Sequence, residues 1–346
     1  MLSAWVKAPF EVDLRDLPVP EVGPGQILVR VEACGVCGTD LHYARTFAKE
    51  WMPLGHEAVG VVEKVGPGVS EDWLGKKVLA LNYTACGQCE ACLNGHWEHC
   101  LNMPTYMEEE RGWQAGMSEY LLLPANMVYE YEGLSPIHAA FVEPLSVALD
   151  LVTVADIPLR GDVAVFGPGP IGLAAVRLCK LKGARRVFLT VPSRKTARHR
   201  KRAEVGEKMG ADEIIFADEE DPAEKVLSIC PKGLDRILVT APPKTIPQAI
   251  KMCKFGGNVS YIGIEFGPGA VVPIDLNELH FRKAQLRASH AIPDVRFPLC
   301  VDLMRSKAVD PELLITHVFP LRDAAKALEI ANSQDEPVIK VVVDCS

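Results

Sequence analysis

Apolar and polar residues alternate along Gln26–Ala33 (Q-I-L-V-R-V-E-A), a period of two that predicts a half-buried strand. Ala58–Val65 repeats the pattern and ends in the turn Gly66-Pro67-Gly68, and Lys77–Ala80 and Ser118–Leu123 read as shorter strands. Many short strands separated by Gly and Pro over the first part of the chain predict a small β-barrel or sandwich. Near Pro144 the period changes. Leu145–Val154 reads as a helix, and strands then alternate with helices. The strands are Asp162–Phe166, Arg186–Val191, Glu213–Ala217, Arg236–Thr240 and Asn258–Ile262; the helices are Ile171–Lys182, Ser193–Met209, Pro222–Ile229 and Pro247–Cys253. Such alternation predicts a parallel sheet with helices on both faces. Beyond Ala291, helices Pro298–Ser306 and Arg322–Asn332 precede a strand Val338–Val343 that is expected to pair back with the first domain. The pattern therefore divides an α/β chain into one domain of residues 1–146 and 291–346 and a second of residues 147–290.

Composition narrows the classes. The 346 residues suit two domains, and 48% hydrophobic with 24% charged residues is an ordinary globular balance. A net charge of -8 argues against nucleic acid as a partner. No apolar run is expected to span a bilayer, and the start M-L-S-A-W-V-K has no basic region followed by an apolar core, so neither a membrane partner nor a signal peptide is expected. Eleven cysteines, odd in number and clustered, suit metal ligation in the reducing cytoplasm better than a disulfide framework.

Three stretches carry candidate chemistry. Gly35–His42 (G-V-C-G-T-D-L-H) and Gly55–Glu57 (G-H-E) supply one thiol, two imidazoles, two carboxylates and a hydroxyl within 23 residues. Cys and His suit zinc, and a short local set points to a catalytic metal completed from elsewhere in the chain. The alternative for this stretch is a buried Cys with two hydrogen-bonded histidines and no metal. Cys86, Cys89, Cys92 and Cys100, spaced C-x2-C-x2-C-x7-C, predict a closed structural zinc site. An iron–sulfur cluster lacks the following Pro, and the loop between the last two cysteines has no Lys or Arg to meet nucleic acid. Gly167-Pro-Gly169-Pro170-Ile171-Gly172 follows a predicted strand and opens a helix, the setting in which G-x-G-x-x-G binds a dinucleotide. The next strand ends in Val191-Pro-Ser193-Arg194-Lys195, without the acid that would bind a ribose 2′-hydroxyl. Ser193, Arg194 and Lys195 could instead meet a 2′-phosphate, so NADP is favoured over NAD. Thr240, ending the strand Arg236–Thr240, is grouped with the cofactor residues, and Arg198 to Arg202 are expected on a solvated helix face.

Over essentially the whole chain, these motifs in this order resemble the zinc-dependent medium-chain dehydrogenase/reductase family, its polyol (sorbitol) dehydrogenase-like branch in particular. The resemblance implies a GroES-like β-barrel catalytic domain joined to a Rossmann domain with a doubly wound parallel sheet. It implies two Zn2+ per chain and a homodimer or homotetramer. Cys37 and His56 match the catalytic zinc ligands. Glu57 matches the acid beside the metal, and Glu143, in F-V-E-P-L-S-V-A, stands where alcohol dehydrogenases have a Cys and polyol dehydrogenases a Glu. Either Glu57 or Glu143 would ligate zinc, the other acting through water.

The implied reaction is reversible oxidation of a secondary alcohol, with zinc as Lewis acid. Thr39 would take the hydroxyl proton and His42 relay it outward. Glu143 in place of Cys points to a polyhydroxylated small molecule, with Tyr43 and, more remotely, His290 and Glu119 as pocket residues. The rival readings are an amino-alcohol dehydrogenase of the threonine type and a non-catalytic NADP-binding zinc protein.

Overall fold

The computed structural model of the chain describes residues 1–106 and 115–346. They form two compact units: residues 1–143, 292–333 and 340–346, and residues 144–291 with 334–339.

The first unit is built on a seven-stranded sheet. Its long central strand, Gln26–Gly35, buries seven of its ten residues, the side chains of Ile27, Leu28, Val29, Val31, Ala33 and Cys34 among them. That strand pairs antiparallel with Glu57–Val65, so that Gly35 stands opposite Glu57. On its other side the last strand, Lys340–Asp344, brings Val342 opposite Gly35, which returns the chain's end to the first domain as the pattern predicts. Three strands thus meet at Gly35, and a Cβ there would lie 1.8 Å from Glu57 Oε2. Only glycine fits so close an approach. Tyr120–Pro124 pairs with Gln26–Arg30, and a separate three-stranded sheet joins Leu2–Lys7 to Glu11–Asp16 and Met52–Pro53.

The second unit is a six-stranded parallel sheet in the order Glu213–Phe216, Arg186–Val191, Asp162–Phe166, Leu234–Val239, Cys253–Tyr261 and Gln285–Ala288. The strand order reverses between Asp162–Phe166 and Leu234–Val239, and crevices at such switch points bind ligands. Every residue of Asp162–Phe166 is buried, as a parallel strand covered on both faces requires. Phe188 and Ile237, each at most 1% exposed, each contribute about 1.5–3 kcal/mol by burial.

Three expectations are corrected. Residues 334–339 go with the second unit, because Arg202 Nε donates to Val338 O at 3.0 Å and the Arg198 N–H to Gln334 O at 3.3 Å. Arg202 is therefore buried rather than part of a solvated face. The segment Pro136–Ala155 does reach bilayer length, with 20 residues at mean hydropathy 1.5, but 67% of its apolar window is buried inside the protein. It is apolar because it serves as core.

Candidate active site

Cys37 precedes the short helix Gly38–His42 as its N-cap. Asp40, buried in that helix, accepts the Cys37 N–H at 2.8 Å through Oδ2 and the Gly55 N–H at 3.3 Å through Oδ1. One carboxylate thereby fastens the backbone on which Cys37 and His56 are carried. His56 Nδ1 lies 3.9 Å from Asp40 Oδ1, beyond direct hydrogen bonding, so Asp40 acts on His56 through the Gly55 amide and through its charge. Gly55, at φ +95°, makes the turn into His56, and a Cβ there would meet Cys34 Sγ at 2.6 Å. Cys34 is itself buried, and burial pushes its thiol well up.

Donor atoms of Cys37, His56 and Glu57 lie within 4.8 Å of one another. Burial works against a proton on His56, but Cys37, Asp40 and Glu143 outweigh it and raise the imidazole well above its ordinary range. A field that favours a proton there also favours a divalent cation. One thiolate, one imidazole and one carboxylate form a donor set of the zinc type, so these residues fit the metal that the motif implies.

The carboxylates are held differently. Glu57 is buried, and Lys340 Nζ donates to its Oε1 at 2.5 Å, contacts its Oε2, and donates to Val36 O at 2.9 Å. Glu143 opens the helix Val142–Ala155 and lies outside the tight group of donors. Burial first, then Glu57 and Asp294, push its carboxyl up to about 8, while His56 and Lys340 draw it down. Thr39 Oγ1 is 3.7 Å from Cys37 Sγ. His42, three residues further on the same helix, places Nδ1 3.3 Å from Thr46 Oγ1.

The four remaining clustered cysteines converge as their spacing predicts, with all four Sγ atoms within 4.8 Å. Backbone N–H groups of Cys86 and Met103 donate to Cys100 Sγ at 3.3 Å, and the Cys89 N–H and Asn102 Nδ2 donate to Cys86 Sγ at 3.3 Å. Against burial, the amides on Cys100 Sγ, those of Cys86 and Met103 among them, hold its thiol down to about 6, whereas burial pushes the Cys92 thiol up to about 12. The set fits a tetrahedral metal site. His96, Glu98 and His99 make a further, exposed group on the same lobe.

In the second unit the glycine turn lies at the switch point. Gly167 has φ +102°, and a Cβ on it would meet Thr240 Oγ1 at 2.8 Å. A Cβ on Gly172 would lie 1.9 Å from Gly167 O, whereas one on Gly169 would meet nothing within 4 Å. First and third glycines are thus packing requirements, and the second leaves open space at the N-terminus of the helix Pro170–Leu181, where amides of Ile171 and Gly172 suit a pyrophosphate. The Thr240 hydroxyl donates to Phe166 O at 2.9 Å and to Gly167 O at 3.1 Å, bracing the turn. Ser193 Oγ donates to Asp218 Oδ2 at 2.8 Å, Lys195 Nζ pairs with the same atom at 3.4 Å, and Arg194 Nε pairs with Glu219 at 3.2 Å while its guanidinium covers the Phe216 ring. The basic run is therefore already matched by acids.

Other residues fall elsewhere. Glu119 accepts the Leu2 N–H at 2.8 Å, a structural duty, and His290 is exposed on the second unit. Three residues of the two sites escaped the sequence-based analysis. Lys340 is a lone cation in the apolar run P-V-I-K-V-V-V, a signal in itself. Asp218 follows the strand Glu213–Phe216 with no motif around it, and Asp294, in A-I-P-D-V, lies in irregular structure where no period marks it.

Residues 23–133 match the family described as the alcohol dehydrogenase GroES-like domain, and residues 170–306 match the zinc-binding dehydrogenase family. An L-threonine 3-dehydrogenase from Pyrococcus abyssi is 34% identical over 288 residues, covering 80% of this chain and 79% of that protein. The structure of an alcohol dehydrogenase from Thermus sp. ATN1 superposes with a TM-score of 0.87 at 27% identity, covering 99% of each chain. A zinc-binding dehydrogenase from Sinorhizobium meliloti, bound to NADP, gives a TM-score of 0.85 at 27% identity with the same coverage.

Proposed function

The chain belongs to the zinc-dependent medium-chain dehydrogenase family, whose members bind zinc and NAD(P), and we propose that it oxidises the secondary alcohol of a small molecule bearing a second polar group beside the carbinol carbon. The reaction is a reversible hydride transfer to NAD(P), giving a ketone. The observation that carries this reading is the convergence of Cys37, His56 and Glu57 in the first unit, in a field that favours a cation.

Cys37 and His56 hold the catalytic zinc in this proposal, and Glu143 is the carboxylate assigned to it. Glu57 is nearer, but both of its oxygens face Lys340 in a buried ion pair. Drawing it away would leave the ammonium unpaired, at a cost of several kcal/mol. A second zinc is held by Cys86, Cys89, Cys92 and Cys100. When bound, the catalytic zinc supplies Lewis-acid polarisation and the nicotinamide supplies the hydride acceptor. Thr39 takes the hydroxyl proton, its Oγ1 lying close to Cys37 Sγ. His42, on the same helical turn, passes it to solvent. Gly169 leaves the pyrophosphate room against the helix N-terminus, and Gly167 and Thr240 keep the turn rigid.

Polyols and sugars on one side and amino alcohols on the other are the two substrate classes this reading admits. The first follows from Glu143 in place of a Cys; the second is supported by the threonine dehydrogenase likeness. NADP over NAD is carried by Arg194 and Lys195, but with Glu219 and Asp218 already paired to them the preference expected is modest. A cytoplasmic setting is supported by eleven unpaired cysteines. A homo-oligomer is supported by the edge strand Gln285–Ala288 and by Phe255, Val271 and Phe281, each at least 66% exposed on the second unit; sedimentation as a monomer would remove that part. The function is tested by incubating zinc-loaded protein with a panel of polyols, aldoses, cyclitols and amino alcohols and each cofactor. Reduction of NAD(P) with ketone formation is expected, and no cofactor reduction by any secondary alcohol would overturn it.

A further inference from the structure

The four-cysteine lobe carries more donor atoms than its closed site uses. His96, Glu98 and His99 lie between its last two cysteines, and one donor atom from each falls within 4.8 Å of the other two. His96 Nδ1 is 3.7 Å from Glu98 Oε1. The two imidazole rings stand 6.0 Å apart between centroids, at an interplanar angle of 25°. All three side chains are exposed, and none takes part in the reaction proposed above.

The backbone makes this grouping. Trp97–His99 is a turn of 3-10 helix with His96 as its N-cap, and the His99 N–H donates to His96 O at 3.0 Å. A 3-10 turn has three residues, so side chains at i and i+3 eclipse, and His99 is stacked over His96. The turn is also anchored. The His96 N–H donates to Ala91 O at 2.9 Å, the Cys100 N–H to Trp97 O at 3.1 Å, and Trp97 Nε1 to Cys92 O at 3.1 Å. Two of these bonds tie it to cysteines of the lobe, so metal in the closed site would stiffen it.

Two imidazoles and a carboxylate suit zinc, whereas magnesium prefers oxygen donors alone. With metal–ligand bonds of about 2.0–2.2 Å, donors of a tetrahedral shell sit about 3.3 Å apart. Closing this group on an ion therefore takes shifts on the order of 1 Å, which exposed side chains make within their rotamer wells. Charge favours the ion as well. Residues 86–102 contain Glu90 and Glu98 and neither Lys nor Arg. Four thiolates around one divalent metal leave two negative charges, and the two glutamates add two more. Among the described residues no Lys or Arg pairs with Glu98.

We propose that His96, Glu98 and His99 form a third metal site, which takes Zn2+ from solution through these three side chains and leaves the remaining coordination position to water. Three protein ligands on an exposed turn make it an open, exchangeable site beside the closed one. It stands whether or not the chain is a dehydrogenase.

The test starts from protein that carries its tightly held zinc and has been desalted to remove loose metal. Calorimetric titration with zinc chloride should show one further ion bound per chain, and magnesium chloride at the same concentrations none. His96→Asn removes one imidazole and puts at the N-cap a residue that favours that position. Losing even an outer partner of a metal ligand costs about 10–100-fold in affinity, so His96→Asn should weaken the further zinc at least tenfold. His99→Asn should do the same, and Glu98→Gln should weaken it in the same direction. Metal analysis of the desalted variants should find the parent's tightly held zinc, which shows the lobe still formed; if His99→Asn, beside Cys100, sheds it, His96→Asn decides. No zinc taken up by the parent beyond its tightly held metal would overturn the proposal, an arm that depends on no variant. So would uptake that magnesium matches, or an affinity unchanged in His96→Asn.

Discussion

Replacing Lys340 with Met removes the cation that faces Glu57 while keeping most of the side-chain stem. Both partners are buried, at 3% and 1% side-chain exposure, so solvent screens the pair little. Breaking a buried ion pair by deleting one member leaves the other charged and uncompensated, at about 3–5 kcal/mol. Losing the bond to Val36 O at 2.9 Å adds about 1 kcal/mol. Lys340→Met should therefore lower the stability of the first unit by about 4–6 kcal/mol, a large share of what a domain has. Adding Glu57→Gln removes the orphaned charge and should restore at least about 2 kcal/mol of that loss, a coupling only contacting residues show. Trp5, Trp51, Trp73 and Trp97 lie in the first unit, and residues 144–291 and 334–339 of the second contain no tryptophan, so the fluorescence reports on the first unit. Urea unfolding of the zinc-loaded protein followed by tryptophan fluorescence measures both variants. A loss below about 1 kcal/mol for Lys340→Met, or simple additivity in the double variant, would refute the claim that this pair anchors Glu57.

Three further outcomes are expected. Glu143→Gln should cost the protein its catalytic zinc, whereas Glu57→Gln should retain it; metal analysis after dialysis decides, and the reverse pattern would make Glu57 the ligand. Replacing Arg194 and Lys195 together with Ala should raise KM for NADP by up to about tenfold and leave NAD unchanged, because exposed pairs of this kind are worth little; a parent that clearly prefers NAD would sink the assignment. Asp162 is buried, and against that burial Arg185 and Arg186 hold its carboxyl below the usual range. Its contribution is complete above about pH 4, the unfolded value, and is lost as pH falls through the lower folded value. Asp162→Asn should accordingly be less stable than the parent at neutral pH by calorimetry, with the gap closing in acid; a gap independent of pH would contradict the pairing.

Much of this molecule is legible in its sequence because the relevant physics is local. Three glycines at fixed spacing have three different reasons to be glycine, and the structure supplies each: Thr240 behind Gly167, open space at Gly169, the Gly167 carbonyl against Gly172. The cysteine spacing works in the same way, since two-residue gaps bring the sulfurs and their amide donors together. What stayed hidden is non-local or lacks a period. Lys340 reaches Glu57 across 283 positions of sequence through the meeting of three strands at Gly35. Asp294 sits between secondary structures and is placed by amides 211 and 212 residues away. The strands Gln285–Ala288 and Ile315–Pro320 were missed because each lies at a sheet edge and buries little, so neither alternates. The acids opposite Arg194 and Lys195 come from a neighbouring strand's end, which is why a basic run that reads as free for phosphate is already paired.

The most direct test of the central claim, that one zinc at Cys37 and His56 drives the chemistry while another only holds the fold, is zinc content and turnover in Cys37→Ser beside Cys89→Ser. Cys37→Ser should stay folded, bind one zinc fewer than the parent and reduce no NAD(P), whereas Cys89→Ser should lose stability along with its metal. A Cys37→Ser protein that keeps the parent's zinc content, or turns over as fast as the parent, would contradict the account.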